Sequence, residues 1–381
     1  MIAPISSGLF ACALVAGLED KQAFSEASTI AETGTTDATA VEAPNTDAGI
    51  MTDAGDAAQP VDVIQVVATG QGKPWDVAVD DGYVYWTNEG SNSVMRAPKA
   101  GGAPIAIELG QYEPHRLIVD PTSMFWHNAN LADREGTDAG EELVEVARLP
   151  KALIGQDGGV DSLESMRGTS ELKKLVVASV PDPYLWTTWD DKVRRLRRDG
   201  QGGGRDVMKN LTAQVPTAVA ADAVNVYWFL QQPFQIWRSG KNFDVVGVDA
   251  GVAPIATLAG APEIADMVAD QDALYMVTTG GAVLKVPTPN GGAATQIGMG
   301  HAYPKAIVAD DKYLYFTRSD ANDAPGQGMV VMVAKSGTET RIIAQGLDKP
   351  RGLTVDKALN GSVTLYWVTY GDGMVRRIRV R

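Results

Sequence analysis

The chain has 381 residues, 45% hydrophobic and 21% charged, with a formal net charge of −14. That charge excludes a basic nucleic-acid footprint, and the single cysteine excludes an internal disulfide framework or a Cys-built zinc cluster. Three histidines leave little material for a His-rich metal site, and no internal run reaches transmembrane length.

Residues 1–18 carry no charge. The apolar stretch Ile2 to Leu18 is slightly short for a stable membrane span and reads as a secretory signal. Within it, Leu9-Phe10-Ala11-Cys12 resembles a bacterial lipobox, in which a small residue precedes a cysteine that becomes lipid-modified. The opening Met1-Ile2-Ala3-Pro4 lacks the usual Lys or Arg. The resemblance implies an exported lipoprotein of the bacterial cell envelope, anchored to the membrane through Cys12. From residue 19 to residue 60 nine acids face Lys21 alone, so −8 of the −14 lies there. This Ala, Thr and Asp-rich segment cannot bury enough apolar area to offset its chain entropy, and a disordered tether is expected.

A repeat occupies residues 61–381. Pro74-Trp75-Asp76-Val77-Ala78-Val79-Asp80 leads into Tyr83-Val84-Tyr85-Trp86-Thr87. Pro114-His115-Arg116-Leu117 leads into Phe125-Trp126-His127, and Pro216-Thr217-Ala218-Val219 into Tyr227-Trp228-Phe229. Further copies start at residues 172, 262, 304 and 350, which makes seven with a mean period of 46 residues. Each copy holds four short strand signals. The first is small and apolar, the second aromatic, the third alternates apolar residues with Arg or Lys, and the fourth follows a turn such as Pro98-Lys99-Ala100-Gly101-Gly102. Four strands at this period predict an all-β fold, a seven-bladed β-propeller.

The ends carry a separate prediction. The last copy stops after its third strand, Val375-Arg376-Arg377-Ile378. Ahead of the first copy stands Val63-Ile64-Gln65-Val66-Val67-Ala68-Thr69-Gly70, which matches the other fourth strands. The N-terminal strand is therefore expected to complete the last blade and close the ring, removing two open sheet edges.

Tyr85-Trp86-Thr87-Asn88, followed by Val94-Met95-Arg96, resembles the YWTD-type and NHL-type propeller repeats and those of streptogramin (virginiamycin B) lyase. The resemblance covers residues 61–381 and rests on blade-building positions, so it implies a fold and not a function. The lyase resemblance also implies a His and a Glu working with bound magnesium. No motif carries those roles onto His115, His127 or His301.

Propeller geometry places the loop entering each first strand and the loop between second and third strands on one face. Trp75, Asp76, His115, Arg116, Lys173, Thr217, Glu263, Lys305 and Arg351 then ring the channel mouth. Such a ring suits a small polar ligand or a protein partner, with Trp75 as a stacking platform. His115 and His127 flank the first two strands of one blade and are the candidates for acid–base chemistry or for a divalent cation, Ca or Mg. The acidic loops 128–142 and 319–328 match no EF-hand spacing and read as solvated partner surface. The run Arg194, Arg195, Arg197, Arg198 alternates sides of a strand and so is expected not to make one patch. No nucleophile elbow, P-loop or HExxH motif is present. The expected function is a tethered propeller binding module; the alternative is a propeller enzyme, a lyase or hydrolase working at the mouth.

Overall fold

The computed structural model describes residues 63–129, 143–156, 158–167, 175–177, 183–189, 192–208, 215–241, 252–288 and 290–380. The signal-like segment with Cys12, the acidic stretch 19–60, Lys173 and most of the 128–142 loop lie outside them.

Seven four-stranded antiparallel sheets are present. Their inner strands are Pro74–Val79, Pro114–Val119, Leu175–Val177, Pro216–Ala221, Ile264–Ala269, Pro304–Ala309 and Pro350–Lys357. They open blades 1 to 7, and each packs on the inner strands of its two neighbours, closing a ring. The only helical element among the described residues is a 3-10 turn, Lys151–Leu153.

Composition explains the radial order. Inner strands crowd the axis, where small residues such as Ala78, Ala218 and Ala306 fit. Second strands stand further out, where the space between blades widens. There Trp86, Trp126, Trp186, Trp228 and Trp367 are fully buried. Each blade face packs on the next: Tyr85 and Val94 of blade 1 join Leu117, Met124 and Trp126 of blade 2. Burial of this kind is worth about 25 cal/mol per Å² of apolar surface and is the main force holding blades together.

Ring closure is as the repeat predicts. Blade 7 consists of Pro350–Lys357, Val363–Thr369, Met374–Val380 and the N-terminal strand Gln65–Ala68. Glycines end the fourth strands at positions 70, 110, 260, 300 and 346, all with φ between 65° and 95°. A Cβ is disfavoured in that left-handed region, so glycine turns the chain into the next blade.

A second regularity lies on the face opposite the mouth, where inner strands end in aspartate. Asp80 accepts from the backbone N–H of Gly82 and Tyr83 and from the Tyr85 hydroxyl at 2.8 Å. A cation from the following blade completes it, Lys151 at 2.5 Å. The same link joins Asp120 to Arg198, Asp270 to Lys335 at 2.6 Å, and Asp356 to Lys99 at 2.5 Å. Asp80, Asp120 and Asp270 thus cap their own turns and tie adjacent blades, while Asp356 makes the tie alone.

Candidate functional site

The mouth residues fall into two tiers. Trp75, His115, Thr217, Lys305 and Arg351 each directly follow an inner-strand proline and sit at the rim. One residue deeper, Asp76 and Arg116 line the channel together with Asp266, in a cavity of about 400 Å³ walled by all seven inner strands. Blade 5 is offset. Ile264 pairs with Thr278 as Pro74 pairs with Asn88, so Ala265 takes the rim position and Asp266 the deep one. Glu263 therefore stands where Lys73 stands in blade 1, exposed, with the Thr279 hydroxyl 3.3 Å from its carboxylate. The proline spacing had placed it in the rim ring; the two-residue shift moves it out.

The deep tier is polar by construction. Asp76 accepts the N–H of Val77 and, across to blade 2, the N–H of Leu117, both at 2.9 Å. Asp266 does the same for Met267 at 2.8 Å and for Ile307 of blade 6 at 3.0 Å. Gly352 makes room for the first: a Cβ there would sit 2.1 Å from the Asp76 carboxylate. Burial pushes the Asp76 carboxyl above the ordinary aspartate range, and Arg116 with the two backbone N–H groups offsets only part of it. Arg116 makes no hydrogen bond or ion pair within the described residues, and it lines the cavity.

The rim is tightly organised across blades 7, 1 and 2. The His115 imidazole lies flat on Trp75, with ring centroids 3.8 Å apart and 14° between planes. Tyr370 meets Trp75 edge-on at 5.9 Å, and the Arg351 guanidinium lies 5.5 Å from the Trp75 centroid and 5.3 Å from that of Tyr370. Glu89 holds the group together: His115 Nε2 is 3.1 Å from one carboxylate oxygen and the Tyr370 hydroxyl donates to the other at 2.8 Å. Burial works to raise the Glu89 pKa, but the bonds from His115 and Tyr370 outweigh it and hold the carboxyl below the usual range. Trp75 is thus less an open platform than a ring already stacked by its own neighbour. Asp323 receives Arg351 at 2.6 Å and Lys305 at 3.2 Å, so the 319–328 loop is a charge partner of the rim and not merely solvated.

Glu89 and Tyr370 did not stand out in the sequence, yet a signal existed. Each directly follows a second strand, and its N–H bonds the residue before the inner strand: Glu89 to Lys73, Tyr370 to Lys349. Aligning second-strand ends places both at one repeat position on the mouth face.

The two histidines have unequal prospects. His115 is 7% exposed and already paired. His127 is 1% exposed, and neither ring nitrogen has a partner. Burial pushes its imidazole well below the ordinary histidine range, aided by His115 and Arg116, so it stays neutral. His301 lies apart, edge-on to Phe316 at 5.9 Å. The magnesium implied by the lyase resemblance finds no fitting donor set here. Among the described residues no three His, Cys, Asp or Glu side chains gather, and Glu89 and His115 are spent on each other and on Tyr370.

No protein-family model matches the chain, and no curated protein matches it. Solved structures do. The chain superposes on streptogramin B lyase with a TM-score of 0.61 and 15% identity, covering 84% of this chain and 98% of that one. It superposes on the computationally designed protein Ika8 with a TM-score of 0.57 and 11% identity, over 83% and 98% of the two chains. PorZ, a surface component of the type-IX secretion system of Porphyromonas gingivalis, gives 0.55 at 10% identity, over 82% of this chain and 37% of that one. At such identities the likeness shows architecture alone: the chain is a seven-bladed β-propeller, similar in fold to streptogramin B lyase.

Proposed function

We propose that this protein is a binding module of the bacterial cell envelope, held to a membrane by lipid on Cys12, that takes a small polar ligand or a charged protein loop at its channel mouth. The observation that carries the reading is the unpartnered Arg116 guanidinium, set beside the Asp76 and Asp266 carboxylates in a preformed cavity. The two carboxylates are held by backbone N–H groups and so are preorganised, which lowers the ordering cost at binding. The locked rim of Trp75, His115 and Tyr370 adds a rigid aromatic edge. A second reading, a lyase or hydrolase, has one observation in its favour, the Glu89–His115 pair, since a carboxylate-held imidazole is what general acid–base catalysis employs.

Native mass spectrometry of the full chain, purified from the membranes of its own host, tests the mouth. A copurifying small molecule or peptide is expected. Trp75→Ala with Arg116→Ala should release it, while Asn290→Ala with Asn360→Ala, on the opposite face, should keep it. Retention in the first variant overturns the mouth as the site. Conversion of the bound species on incubation, stopped by Glu89→Gln, would decide for the enzyme. The anchor has its own test. Cys12→Ser should move the protein from the membrane to the soluble fraction, because acyl chains contribute about 0.8 kcal/mol per buried CH₂. An unchanged distribution removes the lipid from the proposal.

A further inference from the structure

Arg116 is the extra residue of a bulge between His115, which pairs with His127, and Leu117, which pairs with Trp126. A bulge re-aims a side chain out of strand alternation, and this one lines the cavity of about 400 Å³ with no bond of its own within the described residues. Asp76 stands in the same tier of the adjacent blade. It feels the guanidinium charge, yet the two form no ion pair. Each Asp76 oxygen accepts one backbone N–H, from Val77 or from Leu117, and keeps a further lone pair. A guanidinium and a carboxylate thus share one cavity without closing on each other, and a gap is left between them.

The surroundings of that gap are of two kinds. At the same depth the corresponding residue is only Ala306 in blade 6 and Gly352 in blade 7, so no long side chain fills the tier from there. Further along the inner strands the walls turn apolar: Val79, Ile118, Val119, Val176, Val268 and Val308 line the cavity, all partly exposed. The channel therefore carries both signs of charge at its mouth end and aliphatic walls beyond. Burial and, to a lesser degree, the Asp266 charge push the Asp76 carboxyl upward, an excess that a cation beside it relieves.

We propose that the channel mouth binds an α-amino acid with an aliphatic side chain, its carboxylate on Arg116, its ammonium on Asp76 and its side chain against the valines beyond. The inference rests on the mouth being the binding site and names what it takes. An α-amino acid carries its two charges on one carbon, so a single molecule bridges a guanidinium and a carboxylate that do not reach each other. Both contacts are charge-assisted hydrogen bonds, the stronger kind. A carboxylic acid without the ammonium would add a negative charge beside Asp76 and Asp266. An amine without the carboxylate would add a positive charge beside Arg116 and leave the guanidinium unpaired. The cavity volume falls in the range of small-molecule sites.

Titration calorimetry on the full chain after exhaustive dialysis tests it. The probes are L-leucine and its shorter homologue L-valine. The controls are isocaproate, which is leucine without the amino group, and isoamylamine, which is leucine without the carboxylate. Leucine should bind, and each control at least tenfold more weakly. Arg116→Ala should weaken leucine at least tenfold and leave isoamylamine no weaker, while Arg341→Ala, on the outer strand of blade 6, changes neither. Because Arg116 makes no bond within the described residues, its variant should melt with the wild type. Binding of neither amino acid, a control as tight as leucine, or leucine undiminished in Arg116→Ala overturns the proposal. The mouth itself is judged separately. Loss of a copurifying species from Trp75→Ala with Arg116→Ala keeps the mouth even where leucine fails, and its retention there overturns both.

Discussion

Deleting residues 61–69 will lower the melting temperature of the propeller by roughly 10 °C, whereas removing residues 1–56 will leave it unchanged. The strand Gln65–Ala68 is the outer strand of blade 7, with Gln65 opposite Arg377, Val66 opposite Arg376 and Ala68 opposite Val375. Ala68 is 5% exposed and packs in a cluster with Val77 and Trp86 of blade 1 and Val368 and Val375 of blade 7. Arg377 Nε donates to the Gln65 side chain at 2.8 Å. The deletion removes that packing and a short ladder of hydrogen bonds worth about 1 kcal/mol each. A loss of about 3–5 kcal/mol, at roughly 2–4 °C per kcal/mol for a domain of this size, gives the stated shift. It also leaves Met374–Val380 as an open edge, so aggregation on heating should rise. Calorimetry on both truncations decides the point. Equal melting of the 61–69 deletion and the full chain would mean that the ring does not depend on its N-terminal strand.

The blades were legible because each strand carries its own burial requirement. Trp86, Trp126 and Trp228 announce second strands, since a large indole has room only where blades diverge, and the stranded Gln65–Ala68 segment could pair only with an incomplete blade. The mouth was legible only to the level of position. Trp75 and His115 were placed at the rim, but their stacking, and the role of Glu89 and Tyr370 in holding them, depend on side chains from three blades meeting at an angle that no spacing encodes. His127 illustrates the same limit. A histidine at a strand end looks available in sequence, yet His127 is buried, edge-on to His115 of its own blade.

Replacing Arg198 by Ala will destabilise the fold by about 3–5 kcal/mol, far more than the same change at Lys335. Both residues tie a blade-end aspartate to the following blade, but the aspartates differ in what else they have. Asp80, Asp222 and Asp310 each accept a tyrosine hydroxyl, from Tyr85, Tyr227 and Tyr315 at 2.8, 2.6 and 2.7 Å. In blade 2 that position is Phe125, so Asp120 lacks the donor. One Asp120 oxygen takes the N–H of Thr122 and of Ser123 and the Thr122 hydroxyl, and the other is left to Arg198. The Asp120 side chain is 2% exposed, against 29% for Asp270. Removing the guanidinium strands a buried carboxylate that water cannot reach, the situation in which a broken ion pair costs most. Asp270 can turn to solvent when Lys335 is lost, so its pair is worth under about 1 kcal/mol. The double variant Asp120→Asn/Arg198→Leu removes the stranded charge and should recover most of the loss, because neutral, well-packed substitutes often match a buried pair. Urea midpoints of the four proteins measure this directly. Equal losses for Arg198→Ala and Lys335→Ala, or no recovery in the double variant, would show that burial of the Asp120 carboxylate is not what sets the cost.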